Sequence, residues 1–305
     1  MGEELSRGPG LKADALLVLI TAFWGVTFVV VKDALNDADA FSFLAMRFAV
    51  GGIAASAIAR RTLFDRGAWH AGLLLGVLLF VGYAFQTFGL SLTTPSRSAF
   101  LTGLAVVLVP FAALLVFRRM PKAPALLGVA LAAGGLYLLT GGLSGGGTRL
   151  GDGLTVGCAI AFCFHIVLTE RFAPGRPVVA MVAWQLWVTA LLSALCLPFS
   201  QARIHWTGSL LSAILACGIF ASALAISLQT WAQRRTTAVR AALIFALEPV
   251  FAALLSVGLG RETLGLVEGM GGVLIVLGVV CAEVGGVLVR RVRPSSPPLS
   301  QGERV

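Results

Sequence analysis

Apolar positions in this chain come in long unbroken runs, with neither the two-residue alternation of a half-buried strand nor the one-sided stripe of a soluble helix. No Asp, Glu, Lys or Arg occurs from Ala71 to Ser96, from Ala123 to Thr148, from Pro177 to Ala202 or from Trp206 to Gln233. A helix needs about 20 mostly apolar residues to cross a hydrocarbon core of roughly 30 Å. The pattern predicts ten such helices, over 14–32, 41–60, 70–92, 98–117, 123–143, 152–170, 178–198, 207–232, 237–259 and 263–288. The loops between them are too short for a separate soluble domain. A mainly polar leader precedes the first helix and no A-x-A-like cleavage site follows before Lys32, so the first helix reads as retained.

Composition agrees with that solvent. Of 305 residues, 58% are apolar and 12% charged, against roughly 25% charged in a soluble domain. A soluble globule, a disordered chain and a coiled coil are excluded. The net charge of +9 would raise nucleic acid as a partner for a soluble chain. Here the cations are sorted by side instead: with a cytoplasmic N-terminus, 17 of the 23 Lys and Arg fall on one face, 5 on the other, and Arg47 within a span. Short Lys/Arg-rich loops stay cytoplasmic, so both termini are expected there, in a bacterial inner membrane. The first outer loop is acidic (Asp33, Asp37, Asp39), which is neutral for topology. The five cysteines show no metal or disulfide spacing and read as packing residues; no cofactor or metal is implied.

The chain also repeats itself. Ala22-Phe23 recurs as Ala161-Phe162, Lys32 as Arg171 and Pro110 as Pro249, all at an offset of 139. Gly128 and Gly134 recur as Gly272 and Gly278 at an offset of 144, so the second copy has extra residues around Arg261. Residues 1–143 and 149–289 form the two copies, with a Gly-rich linker at 144–148 and a basic tail at 290–305. Five spans per copy is an odd number, so the copies enter the membrane from opposite sides. The fold class is therefore an all-α polytopic membrane protein of ten transmembrane helices in two inverted five-helix repeats. That arrangement recurs in secondary transporters, where two pseudo-symmetric halves exchange conformations around a central site.

Two stretches carry a resemblance. The first is Trp24-Gly25-Val26-Thr27-Phe28 ending at Lys32. The second is Gln229-Thr230-Trp231-Ala232-Gln233, Thr237-Ala238, Leu247-Glu248-Pro249-Val250-Phe251-Ala252-Ala253-Leu254, Arg261-Glu262, Gly272 and Leu274-Ile275. They resemble the two EamA domains of the drug/metabolite transporter superfamily over about residues 14–289. The first half departs from the pattern, with Arg118-Arg119-Met120-Pro121 where the second has Glu262. The resemblance implies a ten-helix carrier that moves small polar metabolites such as amino acids, often outward and without ATP.

Ionisable groups inside spans are expensive and mark function by default. Glu248, mid-span and next to helix-weakening Pro249, could bind a substrate amine or carry a proton; a hydrogen-bonded structural carboxyl is the alternative. Its repeat counterpart is Val109, so Pro110 and Pro249 form a pair of expected hinges around a single ionisable group. Arg47 could hold a substrate carboxylate, snorkel, or pair with a buried acid. His165 is a second proton-coupling residue or a packed histidine. Trp24, Tyr83, Gln86, Trp184, Gln185 and Gln229 complete the expected substrate-binding set, whereas Trp69, Trp206, His70 and His205 read as interfacial. Gly72/Gly76, Gly153/Gly157 and Gly265/Gly269 have the spacing of close helix contacts. The expected partners are a small-molecule substrate and membrane lipid, not nucleic acid; proton coupling and a homodimer stay open. No GxxxxGK[ST] or HExxH is present, and the GxSxG match Gly142-Leu143-Ser144-Gly145-Gly146 falls in the Gly-rich stretch between spans, without the strand-to-helix turn that a nucleophile elbow needs, so an intramembrane enzyme ranks below a non-transporting scaffold or receptor as the rival to a carrier.

Overall fold

The computed structural model describes residues 11–139, 148–200, 202–260 and 263–292; the Gly-rich linker, Arg261, Glu262 and most of the basic tail lie outside them. The described residues are all-helical, apart from one isolated bridge between Ala38 and Ile204. In order the helices are α1 (Leu11–Ala34), α2 (Ala40–Ala59), α3 (Arg66–Ser91), α4 (Pro95–Gly103), α5 (Ala105–Phe117), α6 (Ala123–Leu139), α7 (Arg149–Phe172) and α8 (Val178–Leu195). They continue with α9 (Gly208–Ala216), a π-helical segment (Cys217–Leu224), α10 (Ala225–Gln233), α11 (Ala238–Phe245), α12 (Glu248–Gly258) and α13 (Leu266–Val292). Counting α4–α5, α9–α10 and α11–α12 as single rods, 8 helices are long and apolar enough to span a membrane. Two shorter apolar helices, Ala123–Leu139 and Leu266–Ala282, accompany them.

Polar punctuation sets the boundaries. Thr94, Thr148, Thr207 and Thr237 each cap the helix that follows, their hydroxyls accepting from the backbone N–H three residues on. Such a cap satisfies one of the donors a helix start leaves orphaned. Arg118 ends α5 in the left-handed conformation, φ 54°, the usual geometry just past a helix end. The acidic outer loop has structural work: Asp39 accepts from the N–H groups of Phe41 and Ser42 at the start of α2 and of Arg203 across the surface, while Thr207 donates to Asp37.

Three rods predicted as single spans are interrupted. Leu104 separates α4 from α5, Ala246 and Leu247 separate α11 from α12, and the rod from Gly208 to Gln233 widens into a π-helix at its centre. Proline accounts for the second break, because Pro249 has no N–H for the carbonyl of Phe245 and its ring crowds that carbonyl. Pro110 lies inside the continuous α5, displaced from the break that precedes it.

Packing pairs α6 with α13, α2 with α8, α3 with α7 and α8, α1 with α10 and α12, and α7 with α4 and α5. Between α6 and α13 the helices touch backbone to backbone. A Cβ on Gly128 would lie 2.6 Å from the carbonyl of Gly278, and one on Gly135 2.6 Å from that of Gly271. Gly72 and Gly76 meet α8 just as closely. The spacing misleads elsewhere: a Cβ on Gly153 or Gly269 would meet nothing, and one on Gly265 would meet only the side chain of Glu268.

Candidate functional site

Where the two interrupted rods α4–α5 and α11–α12 face α1, α3 and α7, the helices enclose a central cavity. It leaves about 80 Å³ for the centres of water-sized molecules, room for several waters or one small metabolite at ~10–15 Å³ per water. Seven residues expected to bind substrate line it: Trp24, Arg47, Tyr83, Gln86, His165, Gln229 and Glu248. They come from six helices and from both halves of the sequence.

Each is held by specific partners. Arg47 on α2 is 2% exposed; its Nε donates to Ser222 Oγ at 3.0 Å and its guanidinium lies 4.8 Å above the ring of Tyr83. It does not snorkel and pairs with no acid among the described residues, and its Nη2 is buried without a hydrogen-bond partner. A desolvated, unneutralised guanidinium costs several kcal/mol on the usual scale, so the cavity is electrostatically prepared for an anion. Tyr83 is wedged edge-on between Phe48 and Phe162, which fixes the ring under that cation. Trp24 on α1 donates its indole N–H to the carbonyl of Ala221 at 2.9 Å, inside the π segment that also supplies Ser222. Such segments concentrate at functional sites. Gly25 makes this approach possible on the other side: a Cβ there would sit 2.8 Å from the carbonyl of Glu248.

Glu248 opens α12 and lines the cavity, 9% exposed. Its carboxylate makes no hydrogen bond or ion pair among the described residues, and it sits at a helix N-terminus, where backbone dipoles favour negative charge. Val106 and Phe245, whose carbonyls lose their proline-blocked donors at Pro110 and Pro249, also line the cavity. His165 Nε2 lies 2.8 Å from Gln185 Oε1. Because an amide oxygen only accepts, Nε2 carries the hydrogen in this arrangement. Gln229 is braced by Gln233, which in turn donates to the carbonyl of Ile166.

Two of the expected residues stand elsewhere. Gln185 lies behind His165 and orients it. Trp184 donates to the carbonyl of Leu63, beside Phe64 and Trp69 in the cluster at the α2–α3 turn. Thr27, Thr87 and Thr102 line the cavity without having been singled out. Hydroxyls are common in apolar helices because they bond to their own turn, as Thr27 does to the carbonyl of Trp24, so sequence gave them no distinguishing mark.

The chain has counterparts among known proteins in sequence and in fold. The profile of the EamA-like transporter family matches residues 11–141 and 149–283. An uncharacterised transporter of Archaeoglobus fulgidus is 33% identical over 274 residues, covering 90% of this chain and 86% of that protein. A solved crystal structure, 21% identical, shares the fold with a TM-score of 0.76 over 92% of this chain and 99% of its own. The protein is a multi-pass membrane transporter, and the chain belongs to the EamA-like transporter family.

Proposed function

We propose that the protein is a secondary active exporter of small zwitterionic or carboxylate-bearing metabolites, such as amino acids, working by alternating access around the central cavity. The observation that carries this reading is the cavity's polarity: a buried guanidinium without an acid partner, Arg47, and an unpaired carboxylate, Glu248, line one small space. Arg47 holds the substrate carboxylate, Glu248 its ammonium group, and the Tyr83 and Trp24 rings pack its apolar part. Gln86 and Gln229 orient polar ends. Proton coupling is assigned to Glu248, which binds either the substrate amine or a proton, with His165 as the second proton-accepting group.

Alternating access rests on the inverted repeat. Exchanging the first five rods for the second leaves the packing scheme unchanged: α1 with α12 maps to α7 with α4–α5, α3 with α7 maps to the α9–α10 rod with α1, and the pairs α2 with α8 and α6 with α13 map onto themselves. The cation distribution supports cytoplasmic termini in a bacterial inner membrane, and export follows the family likeness.

Counterflow in proteoliposomes tests the reading. Vesicles preloaded with a mixed amino-acid pool are expected to accumulate labelled amino acid, with accumulation lost in Glu248→Gln and stimulated by an imposed pH gradient. No exchange with any amino or carboxylic acid would sink the substrate assignment, and exchange indifferent to the gradient would remove proton coupling.

A further inference from the structure

Two ion pairs stand at the starts of the two interrupted rods. At one, Arg97 in the first turn of α4 forks onto Asp152 in the first turn of α7: Nε donates to Oδ1 at 2.8 Å and Nη2 to Oδ2 at 2.7 Å. At the other, Arg240 in the first turn of α11 donates from Nη2 to Asp14 Oδ2, in the first turn of α1, at 2.6 Å. Each arginine stands three residues after the threonine that caps its helix, Thr94 and Thr237. Each acid belongs to the long unbroken helix that packs against that rod. The pairs are therefore pseudo-symmetry mates: both arginines and capping threonines are related by the same offset of 143.

They lie at opposite ends of the bundle. Lys32 at the end of α1 donates to the carbonyls of Leu90 and Thr93, placing that end of α1 beside the Arg97 turn. Asp14 is 18 residues back along the same helix, about 27 Å at 1.5 Å per residue. The cavity lies between the two pairs.

We propose that these pairs are alternating latches: Arg97–Asp152 closes one mouth of the cavity, Arg240–Asp14 closes the other, and each transport cycle breaks one while the other stays made. The proposal rests on the alternating-access reading. In the described structure both are closed. They are not equal, however. Asp152 uses both carboxylate oxygens, whereas Asp14 Oδ1 is buried without a hydrogen-bond partner. A bidentate fork is stronger and more geometrically demanding than a single contact, so the Asp14 latch opens more readily. With cytoplasmic termini that latch faces the cytoplasm, the side from which an exporter loads.

The test uses one cavity cysteine, Ala105→Cys, in a chain whose native cysteines are replaced by serine, labelled with a membrane-impermeant thiol reagent from either face of oriented vesicles. Asp152→Asn is expected to raise labelling from the Arg97 face about tenfold and lower it from the other, as release of a two-state bias requires. Asp14→Asn should do the reverse, and the charge swap Arg97→Asp with Asp152→Arg should restore the parent pattern. Changes of the same sign from both faces, or none in either variant, would overturn the proposal. Should a single variant not fold, a bifunctional thiol cross-link between Arg97→Cys and Asp152→Cys gives the answer: exchange is expected to stop while labelling from the opposite face persists, and exchange that survives the cross-link refutes the latch. Labelling needs no substrate, so failure here is distinct from failure of the counterflow assay.

Discussion

The two interrupted rods begin alike and end differently. α4–α5 and α11–α12 each start at a threonine cap followed by a paired arginine, and each contributes a proline-blocked carbonyl, that of Val106 or Phe245, from a residue lining the cavity. At the equivalent position before the proline, however, one carries Val109, fully buried, and the other Glu248, lining the cavity. The displacement of the breaks explains the difference: in the first rod the helix has resumed at Ala105, so Val109 is turned into the core, whereas α12 starts at Glu248 itself. Duplication thus supplies a symmetric frame, and a shift of a few residues in where the helix breaks decides which copy presents a charge to the cavity.

Moving the charge breaks the comparison most severely. Val109→Glu places a carboxyl in packed core rather than in the cavity, expected to destabilise the protein by about 3 kcal/mol as for other charges at membrane depth. Its melting temperature in detergent should fall by several degrees. Glu248→Val should instead leave melting unchanged or raised, since it removes a charge that has no protein partner, while reducing counterflow at least a hundredfold. A Val109→Glu variant as stable as the parent would mean that the halves are more alike than their burial indicates.

Arg47 sharpens the same asymmetry, because the α8 position facing it by symmetry carries no cation. Replacing it by Gln keeps a donor for Ser222 but removes the charge. Hydrogen bonds to charged groups contribute about 1.5–3 kcal/mol, so the half-saturating substrate concentration should rise about tenfold to a hundredfold with the maximal rate less affected. An unchanged concentration dependence would place the carboxylate elsewhere.

The prolines separate the halves more gently. Pro249 stands in the first turn of α12, where proline is tolerated, whereas Pro110 is inside α5, where it costs a hydrogen bond. Pro110→Ala is expected to raise the melting temperature, and Pro249→Ala to leave it nearly unchanged but slow exchange several-fold by letting α11 and α12 fuse. Equal effects on exchange would restore the symmetric pair of hinges that the repeat alone suggests.

Most of the frame was legible in the sequence because lipid demands long charge-free runs, and because so few ionisable groups remain inside them that Glu248, Arg47 and His165 stand out. The membrane-capable rods follow from those runs and three of the cavity residues from that scarcity. What stayed illegible depends on helix phase. Trp184 and Gln185 are neighbours in one apolar run, yet adjacent residues on a helix point about 100° apart, so one meets the α2–α3 turn and the other meets His165. The π segment has no sequence mark either; it shows only in the folded backbone, where Ala221 and Ser222 accept from Trp24 and Arg47.

The smallest expected effect compares the acids that cap corresponding turns in the two loops, Asp39 before α2 and Asp65 before α3. Asp65 accepts from one backbone N–H, that of Ala68; Asp39 accepts from Phe41, Ser42 and Arg203. Burial of Asp39 opposes its charge, but the hydrogen bonds from Ser42, Arg203 and Phe41 outweigh it and hold its carboxyl below the ordinary aspartate value. A group whose folded pKa is lowered contributes its full stability above the ordinary value, about 4, and loses it as pH falls through the lower folded value. Asp39→Asn keeps the capping oxygen and loses only the charge, so it should cost about 0.3–1 kcal/mol at neutral pH, more than Asp65→Asn, with the gap between parent and Asp39→Asn closing below pH of about 4. Thermal melts across that range measure it. A gap that persists into acid would show that Asp39 clasps the Arg203 loop through shape alone, without its charge.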